Sequence, residues 1–139
     1  MATPADPSKL PVPWPQDAAL KFYAGGCHCK AIRYKFEYPE EFYSLPAVRC
    51  NCSICFDRGV LNVYAPIDKF EFTTGTADDM TEYEFGGNKV KHRFCRTCGS
   101  HVGASVPCYG LVVVNTRTLD ELELEKLQIK DLDFKNAEV

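Results

Sequence analysis

Ile32-Arg33-Tyr34-Lys35-Phe36-Glu37-Tyr38 alternates large apolar side chains with charged ones at every step. On an extended chain successive side chains point to opposite faces, so this stretch presents one apolar face and one charged face. A helix would scatter the same residues around its circumference. The reading is therefore a half-buried β-strand. Working outward, residues 60–64, 69–72, 83–85, 90–94 and 111–114 are further short runs of β-type residues. Gly25 and Gly26, Pro39, Pro46, Gly75, Gly86 and Gly87, and Pro107 separate them as turn residues. Many short strands with regular punctuation predict an antiparallel all-β domain. Residues 120–133 mix leucine with charge and fit a short helix or an irregular closing segment equally well.

Upstream of the first strand, Pro4, Pro7, Pro11, Pro13 and Pro15 remove backbone donors and favour extended neighbours. Residues 1–19 are accordingly expected to be an irregular Pro-rich arm, and residues 20–139 the domain itself. Trp14, the single tryptophan, either packs the arm onto the domain or stands exposed.

The chain has 139 residues, 45% of them apolar and 25% charged, which suits one globular domain with a real core and excludes collagen-like, coiled-coil and disordered chains. Lys and Arg number 16 against 19 Asp and Glu, for a net charge of −3. With no basic run, nucleic acid is not an expected partner. No apolar stretch approaches the ~20 residues a membrane helix needs, so no membrane association is expected either. Residues 1–16 lack the basic start and apolar stretch of a secretory signal, so the expected location is cytoplasmic.

That compartment decides how the eight cysteines are read, because a reducing cytosol favours metal ligands or catalytic thiols over disulfides. Cys27 and Cys29 form a C-x-C pair, Cys50, Cys52 and Cys55 a C-x-C-x-x-C triplet, and Cys95 and Cys98 a C-x-x-C pair, while Cys108 stands alone. Extended C-x-C pairs would aim both sulfurs to one side. Gly99, directly after Cys98, suits the left-handed turn that a C-x-x-C knuckle often needs. Cys27, Cys29, Cys95 and Cys98 would close a tetrahedral structural zinc. Three ligands at Cys50, Cys52 and Cys55 would leave a second zinc one open position, as catalytic sites do. Two alternatives stand beside this reading. The cysteines are buried or disulfide-bonded, or Cys108 closes the second site; otherwise Cys108 is an ordinary small core residue.

Gly26-Cys27-His28-Cys29, Cys50-Asn51-Cys52-Ser53-Ile54-Cys55 and Phe94-Cys95-Arg96-Thr97-Cys98-Gly99-Ser100, in that order, resemble the glutathione-dependent formaldehyde-activating enzyme family, whose domain also occurs in centromere protein V. The resemblance spans about residues 23–119. It implies a β-tent of small antiparallel sheets stapled by zinc, with two zinc ions per chain. One would be structural, on Cys27, Cys29, Cys95 and Cys98, and one at the active site, on Cys50, Cys52 and Cys55. The sequence departs from the family's pattern at Lys30, where glycine is frequent, and at Asn51, where histidine is frequent. The implied activity is that of a carbon–sulfur lyase forming or cleaving S-hydroxymethylglutathione from formaldehyde and glutathione. The alternatives are the same fold acting on a different glutathione or thiol conjugate, and a non-enzymatic zinc module that binds a protein partner.

Three thiolates leave the second zinc site with a formal charge of about −1, favouring a further soft ligand such as the glutathione thiol. His28, His92 and His101 are the candidate proton shuttles. Lys30, Arg49, Arg58 and Arg96, with Arg93, are the candidate cations for the carboxylates of glutathione, and Tyr34, Tyr64 and Phe56 the candidate pocket walls, Tyr34 being better suited to the core. Metal analysis of the purified protein is expected to give close to two zinc ions per chain; native cystines without metal would contradict the reading.

Overall fold

Strand β2 (Arg33–Pro39) carries the alternation noted in the sequence. In the computed structural model, which describes residues 3–87 and 89–134, Ile32, Tyr34, Phe36 and Tyr38 are all fully buried. The intervening charges face outward, where Arg33 pairs with Asp120 and Lys35 with Glu71. β2 is the middle strand of a three-stranded antiparallel sheet, flanked by β1 (Leu20–Gly26) and β5 (Phe70–Thr74).

The remaining strands form a seven-stranded sheet. They are β3 (Ala47–Cys50), β4 (Asn62–Pro66), β6 (Met80–Tyr83), β7 (Lys91–Cys95), β8 (His101–Val106), β9 (Leu111–Asn115) and β10 (Ile129–Leu132), in the spatial order β10-β3-β4-β9-β8-β7-β6. Its pairings are antiparallel except that of β10 with β3. One short helix, α1 (Ser53–Arg58), interrupts the strands. Among the described residues no helix is long and apolar enough to cross a membrane.

The all-β architecture agrees with the sequence reading, with local corrections. The run expected at 83–85 lies late, since β6 ends at Tyr83 and a turn follows. Residues 120–133 form neither of the expected alternatives: a single 3-10 turn (Leu124–Lys126) leads into β10. β10 is short and mostly exposed, and it gains its pairing from β3, where Arg49 meets Asp131. Such an edge strand has little hydrophobic pattern of its own.

Strand alternation also divides the large sheet into two faces. Val63, Ala65, Val112 and Val114 join the aromatic residues of β2 in one hydrophobic core. On the opposite face lie Asn62 and Tyr64 of β4, paired in register with Asn115 and Val113 of β9, and continuing through Ala104 and His92. That second face becomes the floor of the cavity described below.

Residues 3–19 contain no strand, only a 3-10 turn (Pro7–Lys9) whose Asp6 cap accepts the Ser8 N–H at 2.9 Å. The segment nonetheless delivers Leu10, Val12 and Trp14 into the core. The Trp14 ring meets Tyr38 edge-on, with centroids 4.9 Å apart, and the Ala5 N–H donates to the Gly110 carbonyl at 2.9 Å. Residues 1–2 of the expected arm and 135–139 of the expected domain lie outside the described residues. Removing a buried tryptophan of this kind leaves a cavity, so Trp14→Ala is expected to lower the unfolding free energy by about 3–5 kcal/mol. An unchanged denaturant midpoint would show that the segment adds nothing to the core.

Candidate metal centres and the adjoining cavity

The chain collects seven of its cysteines into two groups, Cys27, Cys29, Cys95 and Cys98 in one and Cys50, Cys52 and Cys55 in the other, with sulfurs within 4.8 Å of one another in each. All eight cysteines are free thiols. In the first group Cys27 and Cys29 belong to the turn that joins β1 to β2, whereas Cys95 ends β7 and Cys98 lies in the turn to β8. The group therefore ties the three-stranded sheet to the seven-stranded one. The Cys27–Cys29 and Cys29–Cys95 sulfurs are each 3.6 Å apart. A tetrahedral zinc with sulfur at about 2.3 Å holds its sulfurs about 3.8 Å from one another, so these four residues fit the ion.

Backbone donors surround the sulfurs as thiolates require. The Ile32 N–H donates to Cys27 Sγ at 3.3 Å, and the Thr97 and Cys98 N–H groups donate to Cys95 Sγ at 3.4 and 3.5 Å. The Ser100 hydroxyl lies 3.3 Å from Cys98 Sγ and is the chief reason that thiol is pulled down to about 5. The C-x-x-C turn closes through Gly99 at φ 78°, the left-handed region that favours glycine. Across the site, Lys30 holds φ 72° without being glycine. The first C-x-C is not on an extended strand as expected, but in a tight turn in which the Lys30 N–H donates to the Cys27 carbonyl at 3.3 Å. The turn brings the two sulfurs together instead of strand alternation.

In the second group Cys50 ends β3, Cys52 caps the N-terminus of α1 and Cys55 lies within its first turn. The helix, absent from the sequence reading, places Cys52 and Cys55 three residues apart on one face. The Cys52 N–H donates to Cys50 Sγ at 3.3 Å, and Asn62 Nδ2 donates to Cys55 Sγ at 3.8 Å. Burial, followed by the neighbouring Cys52, pushes the Cys55 thiol well up, and burial likewise raises Cys50. Burial disfavours the charged forms of Cys50 and Cys55, a cost that a bound cation would offset. Among the described residues, no fourth thiol, imidazole or carboxylate joins the triplet. Cys108 does not close it; contrary to the expected core position, it is exposed on the 3-10 turn Pro107–Tyr109.

A cavity of about 520 Å³ opens beside the triplet, bordered by all three of its cysteines and none from the first group, and its size lies within the usual range for small-ligand sites. Asn62, Tyr64, His92, His101 and Lys89 also line it. The two imidazole rings lie 6.0 Å apart, and Phe85 stacks on His92 at 5.6 Å. Arg58 lies outside the lining, with a guanidinium nitrogen 3.3 Å from His101 Nδ1 and its charge over the Phe94 ring. A guanidinium only donates, so Nδ1 accepts and the ring proton of neutral His101 sits on Nε2. Burial, then the charges of Arg58 and His92, hold His101 down to about 4, and burial with Arg58 lowers His92. Both rings are thus neutral near pH 7.

The other expected contacts fall elsewhere. Lys30 follows the first cysteine pair, Arg49 is paired with Asp131 at 2.6 Å, Arg93 faces Glu82, and Arg96 donates to the Asp78 carbonyl at 2.9 Å. None of them borders the cavity, where Lys89 is the lining cation among the described residues. His28 is exposed beside the first group and donates its backbone N–H to Ser100 Oγ. Of the expected walls, Tyr64 lines the cavity, Tyr34 is core and Phe56 points to solvent. The sequence reading did not single out Asn62, Lys89 or Tyr109. Asn62 shows no signal beyond its place in a strand, and only the fold sets it against Cys55.

A family model described as glutathione-dependent formaldehyde-activating enzyme matches residues 22–132. The crystal structure of a Rhodobacter sphaeroides protein is also similar, at 30% identity over 77% of this chain and 99% of that one, with a TM-score of 0.66.

The lowered His101 has a consequence for stability. The unfolded chain takes up a proton at the ordinary value of 6.5, the folded one only near 4, so stability falls as pH drops through that interval. His101→Gln is expected to flatten the decline in melting temperature between these limits. An identical slope in parent and variant would contradict the buried, neutral ring.

Proposed function

We propose, because the chain belongs to the glutathione-dependent formaldehyde-activating enzyme family, that it is a zinc-dependent carbon–sulfur lyase whose reaction is the reversible addition of the glutathione thiol to formaldehyde. In the forward direction a carbon–sulfur bond forms, the carbonyl becomes a carbon–oxygen single bond, and the thiol proton ends on that oxygen. The product is S-hydroxymethylglutathione, and the reverse reaction cleaves the new bond. The observation that carries this reading is that all three cysteines of the triplet border the cavity of about 520 Å³ and none of the four-cysteine group does.

Cys50, Cys52 and Cys55 would hold a zinc ion, which when bound would supply the Lewis acidity that lowers the pKa of a thiol. The chain's own residues do the rest. Asn62 steadies Cys55 from the strand side, and the Cys52 N–H does the same for Cys50, as outer hydrogen bonds commonly do for metal ligands. The apolar walls exclude water and so strengthen the electrostatic interactions inside. His101, with its proton kept on Nε2 by Arg58, is the donor to the aldehyde oxygen as negative charge develops there. Lys89 offers its cation to one carboxylate of glutathione. The eight free thiols suit a reducing compartment, consistent with a cytoplasmic enzyme.

Two substitutions separate the roles of the cysteine groups. Cys52→Ser is expected to lower glutathione-dependent formation of S-hydroxymethylglutathione, followed by NMR exchange, by about 100-fold or more while the melting curve stays close to the parent's. Cys98→Ser is expected to lose one zinc and melt far below the parent, because structural zinc supplies folding free energy. Full activity in Cys52→Ser, or a parent-like melt in Cys98→Ser, would refute the assigned roles.

A further inference from the structure

Formaldehyde has two heavy atoms and no apolar substituent, whereas the cavity beside the cysteine triplet has a broad apolar floor. Ala104 pairs with Val113 and Val106 with Leu111 across β8 and β9, and all four side chains border the cavity. At its edge Tyr109 and Phe134 are 61% and 37% exposed. Rings left in water over an apolar floor mark a surface that gains from being covered. A second cavity of about 570 Å³ shares Pro11, Tyr109, Leu111 and Phe134 with the first, so the apolar surface continues away from the cysteines toward Ala5.

The polar groups gather toward the cysteines. Asn62 and His101 stand at the starts of β4 and β8, at the Cys55 end of the cavity, while His92 sits beside Ala104 in register, Lys89 precedes β7, and the far end of the floor is Val106 and Leu111. A ligand matching this division has one polar, reacting end and one apolar end of several carbons. From this we infer that the carbonyl partner is an aldehyde carrying an aliphatic chain or aromatic ring, with formaldehyde its smallest member. The inference rests on the reaction proposed above and gives its substrate class. The chemistry balances as before: the thiol S–H adds across C=O, the carbon–sulfur bond forms, the proton moves to oxygen, and a hemithioacetal results without oxidant or reductant.

The test is a homologous series, which keeps intrinsic reactivity nearly constant from propanal to hexanal. Each methylene buried on this floor is worth about fourfold in binding. With glutathione and the zinc-loaded protein, kcat/KM is expected to rise at least about tenfold along the series. Independently of turnover, the calorimetric affinity of S-methyl-, S-propyl- and S-hexylglutathione is expected to rise with chain length, and Tyr109→Ser and Phe134→Ser to flatten that rise. Turnover of formaldehyde with neither kcat/KM nor affinity rising would overturn the inference and leave the proposed reaction standing. A rise with alkyl thiols plus formaldehyde, but not with glutathione plus longer aldehydes, would put the apolar group on the thiol and overturn it too. If no aldehyde turned over, the proposed function would fall and the inference with it.

Discussion

Four thiols held within 4.8 Å of one another form a group that could hold a metal ion, and it lies where the two sheets are joined. Two of the sulfurs come from the hairpin turn of the small sheet and two from the β7–β8 turn of the large one. The aromatic core between the sheets supplies the bulk of the burial, but core contacts are non-directional and tolerate sliding. A tetrahedral four-sulfur site closed by an ion would not. It would set the position of one hairpin against the other, and with it the orientation of the sheets.

The same ligand chemistry takes a different form at the triplet because its surroundings differ. Cys50 comes from a strand end, and Cys52 and Cys55 from the first turn of a short helix. All three sulfurs therefore approach from one flank. The opposite flank is the outer face of the seven-stranded sheet, where alternation presents Tyr64, Ala104 and Val113. The cavity opens beside the helix, bordered by all three cysteines. Arg58, at the last turn of that helix, reaches back to His101, so one element positions both the sulfurs and an imidazole.

Much of this was legible in the residues. The alternation of β2 appears intact as four buried and three outward-facing side chains, because its packing depends on a local period of two. The cysteine motifs form two groups in space, the first and third motifs together and the triplet by itself, as their spacings suggested. Other elements carried no local signal. β8 (His101–Val106) contains glycine, alanine and serine, and its strand character comes from neighbours on both sides. The cations were misplaced for a similar reason: nearness in sequence to a cysteine does not give the side on which a strand or turn releases the next side chain, and Arg49 and Arg96 leave on the far side.

By itself the sequence determined the all-β class and the gathering of seven cysteines into three tight motifs, through strand alternation in one case and ligand spacing in the other. It pointed to a set of four and a set of three, and the fold brings Cys27 and Cys29 to Cys95 and Cys98 across the 65 intervening residues 30–94. Only the tertiary structure decided what faces the triplet. The cavity joins residues from the N-terminal segment, five strands, the helix and Phe134 beyond β10, and no local period records which of them meet. It also decided that Cys108 stands in solvent and that Arg58 serves an imidazole, since both depend on distances through space between segments far apart along the chain.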